Sequence, residues 1–114
     1  MKPVVQFRLR IRKGDHVAIG PGKIALLEAV EQTGSITAAA KHLSMSYRRA
    51  WLLIDEMNAC MRQPVVETET GGARGGGSKL SPTGRAVLDQ YREIERRAEA
   101  AAAEDLGHLL SQLA

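Results

Sequence analysis

Between residues 4 and 12 apolar and polar side chains alternate, Val5, Phe7, Leu9 and Ile11 against Gln6, Arg8, Arg10 and Arg12. A period of two puts successive side chains on opposite faces of an extended backbone, so this stretch predicts a half-buried strand with a basic outer face. Lys13-Gly14-Asp15 ends it with turn chemistry, and Val17–Ile19 is expected to form a short second extended piece. The period then becomes helical. Ile24, Leu27 and Val30, with Ala25 and Leu26 beside them, predict a helix from Pro21 to about Thr33, and Gly34 supplies a left-handed end. A second helix starts at Ser35, whose hydroxyl can cap it, and runs through Ile36, Ala39, Ala40 and Leu43. Ala38, Ala39 and Ala40 are small enough to let a neighbouring helix cross closely. Ser44-Met45-Ser46 breaks the pattern and Ser46 can cap a third helix. Its inward stripe is Ala50, Trp51, Ile54, Met57, Asn58 and Met61, its outward side Arg48, Arg49, Asp55, Glu56 and Arg62, and Pro64 stops it.

Val65–Glu69 reads as a strand, followed by a glycine-rich turn over Thr70–Lys79, with Lys79-Leu80 resuming the pairing. Ser81-Pro82 provides an N-cap and a first-turn proline for a last helix that begins near Thr83 and continues past Ala103. Val87, Leu88, Tyr91, Ile94, Ala98 and Ala101 mark one side of it, with Leu106, Leu109, Leu110 and Leu113 as a continuation and Gly107 as the expected break or bend. No internal repeat or interdomain linker is visible. Residues 1–81 are expected to form the main unit and residues 82–114 a long helix within the same domain.

The 114 residues suffice for one core and are short for two. With 44% apolar and 25% charged residues the composition is that of a globular protein, not a disordered chain. No apolar run approaches the roughly 18 residues of a membrane span, and the opening residues do not form a signal peptide, so no membrane partner is expected. The single Cys60 cannot form an internal disulfide, which fits a reducing cytoplasm; it is read as a buried thiol, with a sensing thiol as the alternative. Net charge is only +3, but five of the 16 basic residues (Lys2, Arg8, Arg10, Arg12 and Lys13) fall within the first 13 positions, where no acid offsets them. That block is either a solvated strand face or a phosphate-contacting surface. His16, His42 and His108 lie far apart, without metal-pair spacing, and no nucleophile motif is present. No enzyme activity, metal or cofactor is expected.

Two short helices joined by a tight turn, the second basic at its start, form a helix-turn-helix signature between Ser35 and about Met61. The second of the pair would enter the major groove of double-stranded DNA by its first turn. Ser46 and the helix N-terminus suit a phosphate oxygen, Arg48 or Arg49 a guanine edge, and Tyr47 a phosphate or a thymine methyl. The alternative is a solvated basic face. Five glycines in the seven positions 71–77, around Arg74 and before Lys79, lack the order of a nucleotide-binding loop. They suit a hairpin tip, or wing, that approaches a sugar-phosphate chain, a merely floppy tip being the alternative. The expected DNA contacts are therefore Ser35, Ser46, Tyr47, Arg48, Arg49, Arg74 and Lys79. Charges at Glu93, Glu95, Arg96, Arg97 and Glu99 flank the last apolar stripe as they do at a helix–helix seam. A homodimer along Val87, Tyr91, Ile94, Ala98 and Ala101 is one reading, and a helix packed only on its own domain with a frayed tail is the other.

The run TGSITAAAKHLSMSYRRAWLLIDEMN, followed by VVETETGGARGGGSKLSPTGRAVL, resembles the DNA-binding domain of ModE-type molybdate-responsive regulators and, more distantly, the winged domain of LysR-type regulators. SYRRAW, the EMN after it and the TGG-x-GGG wing are the most specific parts. The resemblance implies an α+β winged helix-turn-helix with an N-terminal strand, a two-stranded wing and a long dimerisation helix. It further implies a dimeric transcription factor contacting a palindromic operator through Ser46, Tyr47, Arg48 and Arg49, and through Arg74 and Lys79 of the wing. Trp51 matches the family's tryptophan and is read as core. Full-length members bind oxyanion in a C-terminal pair of small β-barrels, whereas this sequence ends at Ala114. Molybdate is therefore not expected to bind this chain directly; a stand-alone regulator, a piece of a longer one, or sensing by a separate protein are the choices. A winged-helix protein-interaction module, or a small oxyanion or metal sensor using Cys60 and a histidine, remain as rivals.

Overall fold

The computed structural model describes residues 1–69 and 77–114. Its elements are β1 (Ile11–Lys13), β2 (His16–Ile19), α1 (Pro21–Thr33), α2 (Ile36–His42), α3 (Tyr47–Cys60), β3 (Val66–Glu69), β4 (Gly77–Leu80), α4 (Pro82–Ala101) and α5 (Ala103–Leu110). The fold is the expected α+β winged helix-turn-helix, with a hairpin at its N-terminal end.

That hairpin corrects the expected strand. β1 and β2 pair antiparallel through the Gly14 turn, with Lys13 opposite His16 and Arg12 opposite Val17. Strand pairing needs a neighbour, and β2 is only four residues long, so residues 4–10 have no ladder. Their period of two survives in burial: Val5, Phe7 and Leu9 are half-buried while Gln6, Arg8 and Arg10 are exposed. Ile11, expected inside, is exposed: it stays on the Leu9 side but lines only an open apolar cleft there.

The core gathers on α1. Ile24, Leu26, Leu27, Ala29 and Val30 are all buried, a wider stripe than the sequence pattern gave, because α2, α3, β4 and α4 pack around this one helix. Gly34 ends α1 at φ 72°, its N–H donating to the Val30 carbonyl at 2.8 Å, and its own carbonyl accepts from Ser78 N at 3.0 Å, tying β4 to the helix end. Ser35 Oγ accepts from Ala38 N at 3.1 Å and Ser46 Oγ from Arg49 N at 3.0 Å, so the caps predicted for α2 and α3 form. Between them the chain turns at Ser44, which adopts φ 56° without being glycine. Ala39, Ala40 and Ala50 are buried where α2 crosses α3.

Asn58 Oδ1 accepts from Val65 N at 2.8 Å, linking the end of α3 to the first wing strand. β3 and β4 pair from Val66–Leu80 to Glu69–Gly77, so β4 starts two residues before the expected Lys79. Ser81 Oγ caps α4 by accepting from Gly84 N at 3.0 Å and donates to the Pro64 carbonyl, drawing α4 against the base of the wing. Gly84 is required there: a Cβ would stand 2.0 Å from the Val65 carbonyl oxygen.

The last helix departs from expectation in its break. It interrupts at Ala102, where φ is −97° and ψ 6°, and Gly107 lies inside α5. The α4–α5 rod makes the molecule long, 56 × 32 × 24 Å with a radius of gyration of 16.7 Å. A compact chain of this length would have about 13 Å. No helix among the described residues is long and apolar enough to cross a membrane.

Candidate nucleic-acid interface

The first turn of α3 borders an open groove of about 610 Å³ lined by Ser46, Tyr47, Arg48, Arg49, Trp51, Leu52 and Asp55. The buried stripe Ala50, Ile54 and Met57 turns the opposite side of α3 into the core and thereby aims these residues outward. Four predicted contacts, Ser46, Tyr47, Arg48 and Arg49, are brought together here. Arg48 and Arg49 are exposed, and neither forms an ion pair among the described residues. Ser46 uses one lone pair on Arg49 N, leaving its proton to donate. The N–H groups of this first turn and the positive end of the helix dipole favour an anion.

Trp51, read as core, is half-buried: it packs against the core cluster, and its ring meets Tyr47 edge-on at 6.2 Å and 70°. That contact orients a phenol otherwise 53% exposed. The sequence reading missed Leu52. It is half exposed in the middle of the groove, and its signal was an apolar residue standing off the buried stripe.

The remaining predicted contacts lie elsewhere. Ser35 sits at the start of α2, half-buried and outside this groove. Lys79 is on β4, exposed, and pairs with Glu69 across the wing at 3.3 Å. Arg74 lies outside the described residues.

The expected seam on α4 divides. Tyr91 is buried in the chain's own core, its hydroxyl donating to the Leu9 carbonyl at 2.7 Å, so it holds the N-terminal segment against α4. Burial pushes the Tyr91 hydroxyl pKa up and Glu95 adds to this, against the opposing charges of Arg92, Arg10 and Arg8. Val87 and Ala98 are half-buried, while Ile94 and Ala101 are exposed. Val87, Tyr91 and Ile94 line an apolar cleft of about 440 Å³ whose other wall is Leu9, Ile11, Ile19 and Met61, a wall the helical pattern alone could not reveal. Two inter-helix pairs fix α4 on α1: Arg92 binds Glu28 at 2.9 Å and Arg85 binds Glu31. Among the described residues no group of three or more His, Cys, Asp or Glu could hold a metal, and Cys60 is half-buried.

Residues 22–85, more than half of the chain, match the model of the bacterial regulatory helix-turn-helix proteins of the lysR family. The chain belongs to this family. It is a DNA-binding transcriptional-regulator domain of the ModE/LysR type, and the family is not enzymatic.

Among related proteins, the molybdenum transport protein ModE of Azotobacter vinelandii is 44% identical over 78 residues, 68% of this chain and 29% of that protein. The transcriptional regulator ModE of Haemophilus influenzae is 37% identical over 91 residues, covering 80% of this chain and 36% of its own length. The chain thus spans about a third of these regulators. Of solved structures, a DNA complex of the CbnR DNA-binding domain aligns with a TM-score of 0.57 at 23% identity, covering 77% of this chain and 95% of that one. A MarR-family transcription regulator aligns at 0.59 and 22% identity, covering 76% and 58%. At these identities the two structures speak to the fold of this LysR-type domain.

Proposed function

We propose that this chain binds double-stranded DNA in a sequence-specific manner as a homodimer on a palindromic site, and so controls transcription in the cytoplasm. The observation that carries the reading is the groove at the tip of α3, where Arg48 and Arg49, without an ion pair among the described residues, stand beside Tyr47 and Leu52. An Arg fork meets the O6 and N7 atoms of guanine, while Leu52 or Tyr47 suits a thymine methyl. Ser46 and the α3 N-terminus take a phosphate. In this reading Ser35, Lys79 and Arg74 add backbone contacts from the α2 N-terminus and the wing.

Residues 1–81 carry the DNA-binding unit and residues 82–114 the pairing helix of the same domain. Support for the pairing is the apolar cleft beside α4, with Ile94 exposed on its rim, Leu109 exposed on α5 and Leu113 exposed just past its end. The Azotobacter vinelandii relative carries molybdenum in its name, but no molybdate role is assigned to these 114 residues. Adding molybdate should leave the melting temperature unchanged, since a ligand specific for the folded state must raise it.

The test is binding to a selected operator and to random duplex. Arg48→Ala should lose about 1–3 kcal/mol of specific affinity and relax the preference at one base pair. Wild-type binding to random duplex that does not fall with salt would instead favour a protein-docking module.

A further inference from the structure

Arg49 borders a second cleft, of about 250 Å³, whose walls include Arg10, Gly20, Lys23, Leu53 and Glu56. Two of its charges cancel. Lys23, only 5% exposed, pairs with Glu56 at 3.0 Å and donates to the Val17 carbonyl, so this buried cation already has an ionic and a hydrogen-bond partner. What remains is Arg10 and Arg49, both exposed and neither ion-paired among the described residues. Both guanidiniums border one cleft, so an anion between them is attracted by two positive charges.

Arg10 does not reach this cleft by chance of a loose terminus. Its stem lies over Gly20, where an added Cβ would stand 3.4 Å from Arg10 Cγ, and the neighbouring Leu9 carbonyl is held by the Tyr91 hydroxyl at 2.7 Å. The N-terminal segment is therefore fastened to α4 on one side of its backbone while Arg10 leans toward α3 on the other. We propose that Arg10, with Arg49, clamps a DNA backbone phosphate flanking the bases that α3 meets. The clamp rests on the DNA-binding reading and adds to it a contact from outside the helix-turn-helix and the wing. A planar fork suits the oxygens of a phosphodiester, and a contact set off from the helix tip positions the protein without reading sequence.

The experiment is the salt dependence of binding to a random-sequence duplex of about three helical turns, sized for a dimer. Arg10→Gln keeps most of the stem over Gly20 and removes the charge; Arg10→Lys keeps the charge. Arg62→Ala removes the same charge beyond the C-terminal end of α3, ~16 Å or more along its axis from Arg49. One phosphate contact fewer per chain should lower the slope of log affinity against log salt by about one for each chain engaged, so Arg10→Gln should lose about 3- to 4-fold less affinity per chain between low and moderate salt than wild type. Arg10→Lys and Arg62→Ala should keep the wild-type slope. An unchanged slope in Arg10→Gln, or an equal fall in Arg62→Ala, overturns the clamp while leaving the α3 reading intact. A flat slope in wild type overturns that reading itself. Thermal melts of all three variants, expected to match wild type, show that the comparison is between folded proteins.

Discussion

Gly84 and Ser44 show how single backbone positions fix the elements around α3. An alanine at Gly84 would drive its Cβ into the Val65 carbonyl, which is backbone and already bonded to Ser81 N, so it cannot move aside. Gly84→Ala should cost about 3 kcal/mol or more, the upper range for overpacking, seen as a melting point lower by roughly 12 °C or more. Ser44 is the reverse case. Its φ of 56° costs an L-residue about 1 kcal/mol, so Ser44→Gly should leave stability level or raise it by up to that amount in a denaturant titration. The three serine caps and Gly34 were legible because their chemistry is local. Asn58 and Gly84 were not legible in their roles, because what each touches is set by how the next elements fold back on them, and Leu52 showed only as an apolar residue off the buried stripe.

At the scale of elements, the helices followed from periodicity and caps, while the strands followed only in part. Alternation reports which side of an extended segment is buried, and it did so for residues 4–10; it does not report whether a partner strand is long enough to pair. The α4 seam shows the same limit. Its stripe was visible, yet whether Tyr91 met a second chain or its own N-terminal segment depended on a contact 82 residues apart.

On the outer side of α4, Glu93 accepts from Arg96 and Arg97, and these hydrogen bonds, Arg96 foremost, lower its pKa from 4.5 to about 2. Because the folded value lies below the unfolded one, the contribution to helix stability is complete above about 4.5 and disappears as pH falls through about 2. The group is at the surface and screened, so the effect is small and should shrink further with added salt. Helicity followed by circular dichroism across that window should fall less in Glu93→Gln than in wild type. The Arg92–Glu28 pair between α4 and α1 is also exposed, and a double-mutant cycle should give a coupling of about 0.2–1 kcal/mol.

Over the whole molecule, the globular body was foreseeable from one apolar stripe per helix, and the extended rod from a helix too long for that body to cover. The rod is also where the proposal of pairing belongs. Ile94 is exposed at the rim of the apolar cleft, so Ile94→Asp should leave the fold intact and shift sedimentation toward the monomer. Loss of pairing would separate the two copies of α3 that a dimer sets about 34–36 Å apart, and affinity for a symmetric site should drop with it.

The most direct test of the central claim is selection of genomic fragments by the wild-type chain, sequenced alongside those retained by an Arg48→Ala/Arg49→Ala double variant. The account predicts enrichment of an inverted repeat with half-site centres about one DNA turn apart, and its loss in the double variant. Enrichment of no common sequence, or of the same sequence by both proteins, would contradict it.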